Sequence, residues 1–232
     1  MEKEKIVALV LAAGTGKRMQ SSTAKQYMLL GGKPLVCYAL EAFERSPVDE
    51  VILVTGEKEI DYCKNDIVKK YGYQKVTRVV AGGKERYHSV YQGLKAIGQA
   101  DYVLIHDGAR PFVTEDIICR SIDMVKKEKA CVVGMPVKDT IKIATEDTYA
   151  SVTPDRRLVW MIQTPQAFSY PEILQAYEKI IADGADSVTD DAMVLEHAAH
   201  MPVKLIEGSY HNIKITTPED MKIAEMFLKE YF

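Results

Sequence analysis

The chain predicts an α/β fold: a Rossmann-like open, mainly parallel twisted sheet with helices on both faces and a protruding β-arm. Three observations carry this expectation. Short, nearly continuous apolar runs rich in β-branched residues recur along the sequence, and such runs suit strands buried on both faces of a parallel sheet. Helical periodicities stand between them, in the alternation from which right-handed crossover sheets are built. After Val137 the alternation breaks into short polar β-like segments, the mark of an insertion.

The first run, Ile6–Leu11, leads directly into Gly14-Thr15-Gly16. Pro34 suits the start of a helix striped by Leu35, Tyr38, Ala39, Ala42 and Phe43. Val51–Thr55 and Val76–Val80 are the next strands, and Val90, Leu94 and Ile97 give a second helical stripe. Tyr102–His106 follows, then a helix carrying Ile118, Ile122 and Val125, then the strand Cys131–Val137. Residues 138–170 hold two short β-like stretches, Thr140–Ala144 and Tyr149–Val152, with polar residues between and after them. They read as an arm whose apolar positions its own chain buries poorly, which points to packing on another subunit. Helical patterning returns at Ile173–Ala182 and Ala192–Ala199, and Val203–Glu207 is the last strand. Thr217-Pro218-Glu219-Asp220 opens the final helix, with a Thr cap, a proline in the first turn and an acid three residues beyond the cap. Met221, Ala224, Phe227 and Leu228 stripe it. With no repeat or linker in view, residues 1–232 read as one domain with an arm inserted at about 138–160.

Composition bounds the function. At 232 residues and 47% hydrophobic content, the chain fills one large or two small domains of roughly 150 residues each and builds its core without disulfide staples. Lys and Arg number 30 against 33 Asp and Glu, and the net charge of −3 argues against a broadly nucleic-acid-coating surface. No apolar run approaches the roughly 20 residues that cross a bilayer. Glu2 and Glu4 do not suit a signal peptide, and cleavage would remove the first strand. Cys37, Cys63, Cys119 and Cys131 form no C-x-x-C pair and read as small buried residues in a reducing compartment. The expectation is a soluble, cytoplasmic protein with no nucleic-acid or membrane partner.

Gly14-Thr15-Gly16 lies where a doubly wound sheet places its ligand loop, and glycine lets backbone N–H groups approach phosphate oxygens. Met19 stands where a dinucleotide fingerprint needs its third glycine, and the G-x-x-x-x-G-K-[ST] loop is absent. Lys17, Arg18 and Lys25 instead crowd cations into the loop, which suits a triphosphate. Asp107 follows a strand directly, inside His106-Asp107-Gly108-Ala109-Arg110-Pro111. There it can hold Mg²⁺ against phosphates or cap a turn. Arg110 can pair with Asp107 or bind a substrate phosphate. Gly82-Gly83-Lys84-Glu85-Arg86, with Ser89 beyond, feeds a helix N-terminus able to offer free N–H groups. His197 and His200 read as surface helix residues, Lys126-Lys127-Glu128-Lys129 as a solvated helix end, and Asp190 and Asp191 as acids at a helix start.

Leu11-Ala12-Ala13-Gly14-Thr15-Gly16-Lys17-Arg18-Met19, then Lys25-Gln26, resembles the opening of sugar-nucleotide pyrophosphorylases and related cytidylyltransferases. Gly82-Gly83-x-x-Arg86-x-x-Ser89-Val90, His106-Asp107-x-Ala109-Arg110-Pro111, Asp139-Thr140, Thr164-Pro165-Gln166, Thr189-Asp190 and Asn212-Ile213-Lys214 follow in order. The set resembles the 2-C-methyl-D-erythritol 4-phosphate cytidylyltransferase family of the non-mevalonate isoprenoid pathway, from about residue 6 to 230. The family usually has proline where this chain has Ala24, and often alanine where it has Gly108.

The resemblance implies a single nucleotidyltransferase domain joining CTP to methylerythritol phosphate with Mg²⁺ as cofactor. It implies Arg18, Lys25 and Lys214 as catalytic cations and Asp107 as the metal ligand. Ala12, Ala13, Gly14, Gly16, Gly83, Arg86, Ser89 and Gly108 would bind the nucleotide. Arg110, Thr140, Arg156, Thr164 and Thr189 would bind the alcohol phosphate, with Thr140 and Arg156 supplied by the 138–160 arm of a homodimer partner. Ribitol-5-phosphate cytidylyltransferases share most of the nucleotide half. A non-catalytic nucleotide-binding domain is the alternative of different class, and an NAD(P)-dependent oxidoreductase is disfavoured by Met19 and the loop's charge.

Overall fold

A computed structural model of the chain describes residues 3–14, 24–184 and 188–231. Strand β1 (Ile6–Ala12) comes first. Beyond the Gly14 loop, a 3-10 turn over Lys25–Tyr27 leads to a small hairpin of β2 (Leu29–Leu30) and β3 (Lys33–Pro34). Then follow α1 (Leu35–Arg45), β4 (Glu50–Thr55) and α2 (Ile60–Tyr62), which continues as a π-type helix over Cys63–Lys69. Next come β5 (Val76–Ala81), α3 (Arg86–Ala96), β6 (Tyr102–Asp107), α4 (Glu115–Glu128) and β7 (Ala130–Pro136). The arm carries β8 (Ile143–Ala144) and β9 (Ala150–Val152). After it run β10 (Trp160–Ser169), α5 (Tyr170–Asp183), α6 (Asp191–Ala199), β11 (Lys204–Glu207) and α7 (Pro218–Tyr231).

Seven strands form the main sheet in the order β11-β7-β10-β6-β1-β4-β5. Neighbours are parallel except around β10, which runs antiparallel to both β6 and β7. The expected open, mainly parallel sheet is therefore present, and β1 separates two cores by its period of two. Ile6, Ala8, Val10 and Ala12 face α1 and α4 through Val36, Leu40, Phe43, Ile118 and Val125. Val7 and Leu9 face the opposite layer, built by Val90 and Leu94 of α3 and Ile173, Tyr177 and Leu195 of α5 and α6.

The sequence reading is corrected at β10. Its residues Trp160–Ser169, nearly all beyond the arm expected at about 138–160, form a strand of the main sheet, where the polar sequence gives no strand pattern. Gln163, Thr164 and Gln166 hide the strand from a hydrophobicity pattern, yet all three are buried. Pro165 falls where the β10–β7 register shifts between Ile162 and Gln166, a place where a missing ladder donor is tolerated. The arm itself leaves apolar residues open. Tyr149 and Leu158 are 76% and 81% exposed, and Ile143 and Val152 are exposed as well.

A third apolar cluster seats the last helix. Leu30, Leu35, Phe112, Ile215 and Ala224 gather Met221, Phe227 and Leu228 around them. The start of α7 is closed as the sequence predicts: Thr217 Oγ1 accepts the Asp220 N–H, while Asp220 Oδ2 accepts the N–H groups of Thr216 and Thr217. This clamp fixes the segment carrying Asn212 and Lys214.

Candidate active site

The chain winds from β1 outward through β4 to β5, then returns to lay β6 on the other flank of β1. Ligands of open α/β sheets bind at such a reversal, outside the carboxyl ends of the strands. Asp107 is the last residue of β6, opposite Leu11 of β1, and stands at this crevice.

Three cations converge on it. Lys214 Nζ lies 2.7 Å from Asp107 Oδ2, Arg86 Nε lies 3.3 Å from Oδ1, and Arg110 Nε lies 4.0 Å from Oδ2. Burial opposes ionisation of this carboxyl, but the charges of Arg86, Lys214 and Arg110 outweigh it and hold the group far below the usual carboxylate range. Arg86 is itself forked onto Asp191, with Nη1 to Oδ1 at 2.8 Å and Nη2 to Oδ2 at 2.7 Å.

Two pockets share this charged wall. The smaller, about 130 Å³, is lined by Gly14, Lys25, Arg86, Asp107 and Lys214. The larger, about 330 Å³, is lined by Arg86, Asp107, Arg110, Thr164, Thr189 and Lys214. Of the residues expected at the nucleotide, Gly14 and Arg86 line the smaller cavity, Arg86 also lines the larger one, and Ala12, Ala13, Gly83, Ser89 and Gly108 line neither; Arg110, Thr164 and Thr189, expected at the alcohol phosphate, line the larger. Gly16 and Arg18 lie outside the described residues, as do Thr15, Lys17 and Met19.

Local structure explains how the small pocket is shaped. Gln26 Nε2 and Tyr27 Oη both donate to the Ala12 carbonyl at the end of β1, which ties the turn bearing Lys25 to the sheet. At Gly14 an added Cβ would meet no atom of the described residues within 4 Å. Gly82 and Gly83 are needed by packing. A Cβ on Gly82 would lie 2.6 Å from that of Ala13, and one on Gly83 would lie 2.4 Å from that of His88. Ser89 Oγ accepts the Gly83 N–H at 3.0 Å, so its hydroxyl braces this loop. At Gly108 a Cβ would press on the Leu11 carbonyl at 3.0 Å and Val36 at 3.1 Å.

On the larger pocket's side, Thr164 Oγ1 accepts the Asp107 N–H at 3.1 Å and meets His106 Nδ1 at 2.9 Å. Burial pushes the His106 imidazole down to about 4, so the ring is neutral. The Thr164 hydroxyl donates to Nδ1, and Nε2 donates to the Arg110 carbonyl at 3.2 Å. Thr164 therefore fixes the backbone of Asp107. Arg110 Nη1 donates to the Asn212 carbonyl at 2.8 Å, and Asn212 Nδ2 donates to the Thr164 carbonyl at 2.9 Å. Thr140 and Arg156 are exposed on the arm and line neither pocket of their own chain.

Sequence reasoning missed several supporting residues. Asp191, read as a helix-start acid, is fully buried beneath Arg86; Asp190 is the acid that caps α6, accepting the Met193 N–H at 3.0 Å. Gln166 Oε1 accepts the N–H groups of Asp191 and Ala192 at 2.9 and 3.1 Å. The only signals were the short motifs Thr164-Pro165-Gln166, Thr189-Asp190 and Asn212-Ile213-Lys214.

Gly14 and grouped cations at the switch point of a mostly parallel sheet suit a protein that handles nucleotide phosphates, the class to which nucleotidyltransferases belong. Comparison with known proteins narrows the class. The chain is 52% identical to the 2-C-methyl-D-erythritol 4-phosphate cytidylyltransferase of Lachnoclostridium phytofermentans, over 98% of each chain. It superposes on the 4-diphosphocytidyl-2C-methyl-D-erythritol synthase of Anaerococcus prevotii with a TM-score of 0.87 at 38% identity, covering 98% of this chain and 97% of that one. The corresponding cytidylyltransferase of Thermus thermophilus gives 0.77 at 28% identity, covering 97% and 99%. A family model for 2-C-methyl-D-erythritol 4-phosphate cytidylyltransferase matches residues 6–230, and the chain belongs to that family.

Proposed function

We propose that the chain converts CTP and 2-C-methyl-D-erythritol 4-phosphate into 4-diphosphocytidyl-2-C-methyl-D-erythritol and pyrophosphate, in isoprenoid precursor biosynthesis. A phosphate oxygen of the alcohol substrate bonds to the α-phosphorus of CTP. The bond from that phosphorus to its bridging oxygen breaks, and pyrophosphate leaves with the electron pair. The nucleophile is already anionic near neutral pH, so catalysis consists of positioning and charge stabilisation. The observation that carries this reading is the meeting of two pockets at Lys214, Asp107 and Arg86.

CTP occupies the pocket of Gly14 and Lys25, with Gly16 and Arg18 completing its loop and Ala12, Ala13, Gly83, Arg86, Ser89 and Gly108 surrounding the nucleoside. The alcohol phosphate occupies the neighbouring pocket against Arg110, Thr164 and Thr189. Arg18, Lys25 and Lys214 stabilise the crowded α-phosphate. Asp107 is the residue that would hold Mg²⁺. Among the described residues no three His, Cys, Asp or Glu side chains cluster as a cage, and one deep carboxylate suits a cation carried in on a triphosphate. When bound, Mg²⁺ offsets the repulsion between the two phosphates.

We extend the reading to a homodimer formed through the 138–160 arm, in which Thr140 and Arg156 of each subunit reach the partner's larger pocket. The exposed apolar residues of the arm support it. Residues 1–232 act as one nucleotidyltransferase domain bearing this arm. The four unpaired cysteines suit the reducing cytoplasm, and among the described residues no helix is long and apolar enough to cross a membrane.

A coupled pyrophosphate assay tests the reading, with CTP, Mg²⁺ and either methylerythritol 4-phosphate or ribitol 5-phosphate. Rapid release is expected with the first alcohol. Silence with both would end the cytidylyltransferase reading, and faster turnover of ribitol 5-phosphate would reassign the substrate.

A further inference from the structure

Asp191 touches neither substrate in the reaction just described, yet its carboxylate is gripped on several sides in a fully buried site. Arg86 supplies both terminal nitrogens, Tyr177 Oη donates to Oδ1 at 2.5 Å, and Gln166 fixes the backbone N–H of Asp191. With its fork occupied, Arg86 faces Asp107 through Nε alone, at 3.3 Å. A paired, two-bond contact between guanidinium and carboxylate is stronger than a single one. Released from Asp191, the Arg86 fork would therefore close on Asp107, the other carboxylate within its reach.

We propose that Asp191 is a positioning residue that holds the Arg86 fork away from Asp107, so that the carboxylate, once Lys214 turns from Oδ2, 2.7 Å away, to the incoming phosphates, is open to the divalent cation that accompanies CTP. This rests on the assignment of Asp107 as the cation-holding residue. Two carboxylates thus divide one arginine between them.

The test reads Mn²⁺ binding to the full chain at saturating CTP, without the alcohol phosphate, by water-proton relaxation enhancement of the ternary complex. Asp191→Asn should weaken Mn²⁺ by about tenfold, while Asp191→Glu, which restores a forked partner, should stay within about threefold of the unsubstituted chain. Adding Arg86→Gln to Asp191→Asn should recover Mn²⁺ affinity, because no fork is left to compete. General distortion of the site would not be relieved that way. Tyr177→Phe removes a single donor to Asp191 and should give a smaller loss in the same direction, and it serves if Asp191→Asn does not fold. Unchanged Mn²⁺ affinity in folded Asp191→Asn, or a loss that the double variant fails to relieve, would overturn the proposal. If Asp107→Asn binds Mn²⁺ as tightly as the unsubstituted chain, the Asp107 assignment is what fails, and the role of Asp191 falls with it.

Discussion

Ala24 holds φ −59° and ψ 135°, angles that a proline ring adopts without strain. The backbone thus keeps a proline-like geometry at a position where the ring itself is missing. Ala24→Pro should raise stability by about 0.5 kcal/mol by restricting the unfolded chain, read as a higher Tm; a fall would mean that the Ala24 N–H is needed. One residue on, Lys25 lines the small pocket with Lys214. Lys25→Ala should lower kcat by about a hundredfold or more with a smaller effect on CTP affinity, as for a group whose contact strengthens at the transition state. Equal losses in both would remove it from that role. Legibility at this scale depended on position in the chain. Asp107 could be read because it follows a buried strand directly. The role of Asp191 could not, because its partner Arg86 lies 105 positions away and only folding joins them.

The opening of α7 shows how an element end can be written in four residues. Burial disfavours the charged form of Asp220, but the hydrogen bonds from Thr216 and Thr217 prevail and lower its carboxyl below the ordinary 3.8. A depressed folded-state value means that the contribution is complete above the ordinary value and disappears as pH falls through the folded one. Asp220→Asn should therefore cost about 1 kcal/mol near neutral pH, with the gap to the unsubstituted chain closing in acid. Urea unfolding at pH 7 and pH 3 measures this, and a gap independent of pH would contradict it. Most strands were legible for an equally local reason: β1, β4, β5, β6 and β7 are apolar runs with little polar interruption. Strand β10 was not. Its glutamines and Thr164 are satisfied by Ser209, Asp107, Asp191 and Ala192, partners that no window of sequence contains. The helix over Ile60–Lys69 escaped as well, since Cys63 and Ile67 are its only buried side chains and charges fill the remainder.

Across the whole molecule, charge is concentrated where chemistry is expected. The chain carries a net −3, yet Lys25, Arg86, Arg110 and Lys214 outnumber Asp107 and Asp190 in the lining of the two pockets. The arm departs from this centre, and the role proposed for it belongs to the proposed homodimer. Thr140→Ala should raise KM for the alcohol phosphate about tenfold while sparing CTP, by loss of a hydrogen bond to a charged group; equal effects on both substrates would contradict the assignment. Full activity in a dilution series where only monomer remains would exclude the shared site. The antiparallel strand has a further consequence during synthesis. Because β10 alone joins β6 to β7, a polypeptide emerging from the ribosome displays two open strand borders until residue 169 is free. Release of a fragment ending before Trp160 should give insoluble material, since such borders recruit other chains, and dependence on chaperones should be greatest while that one segment is still being made.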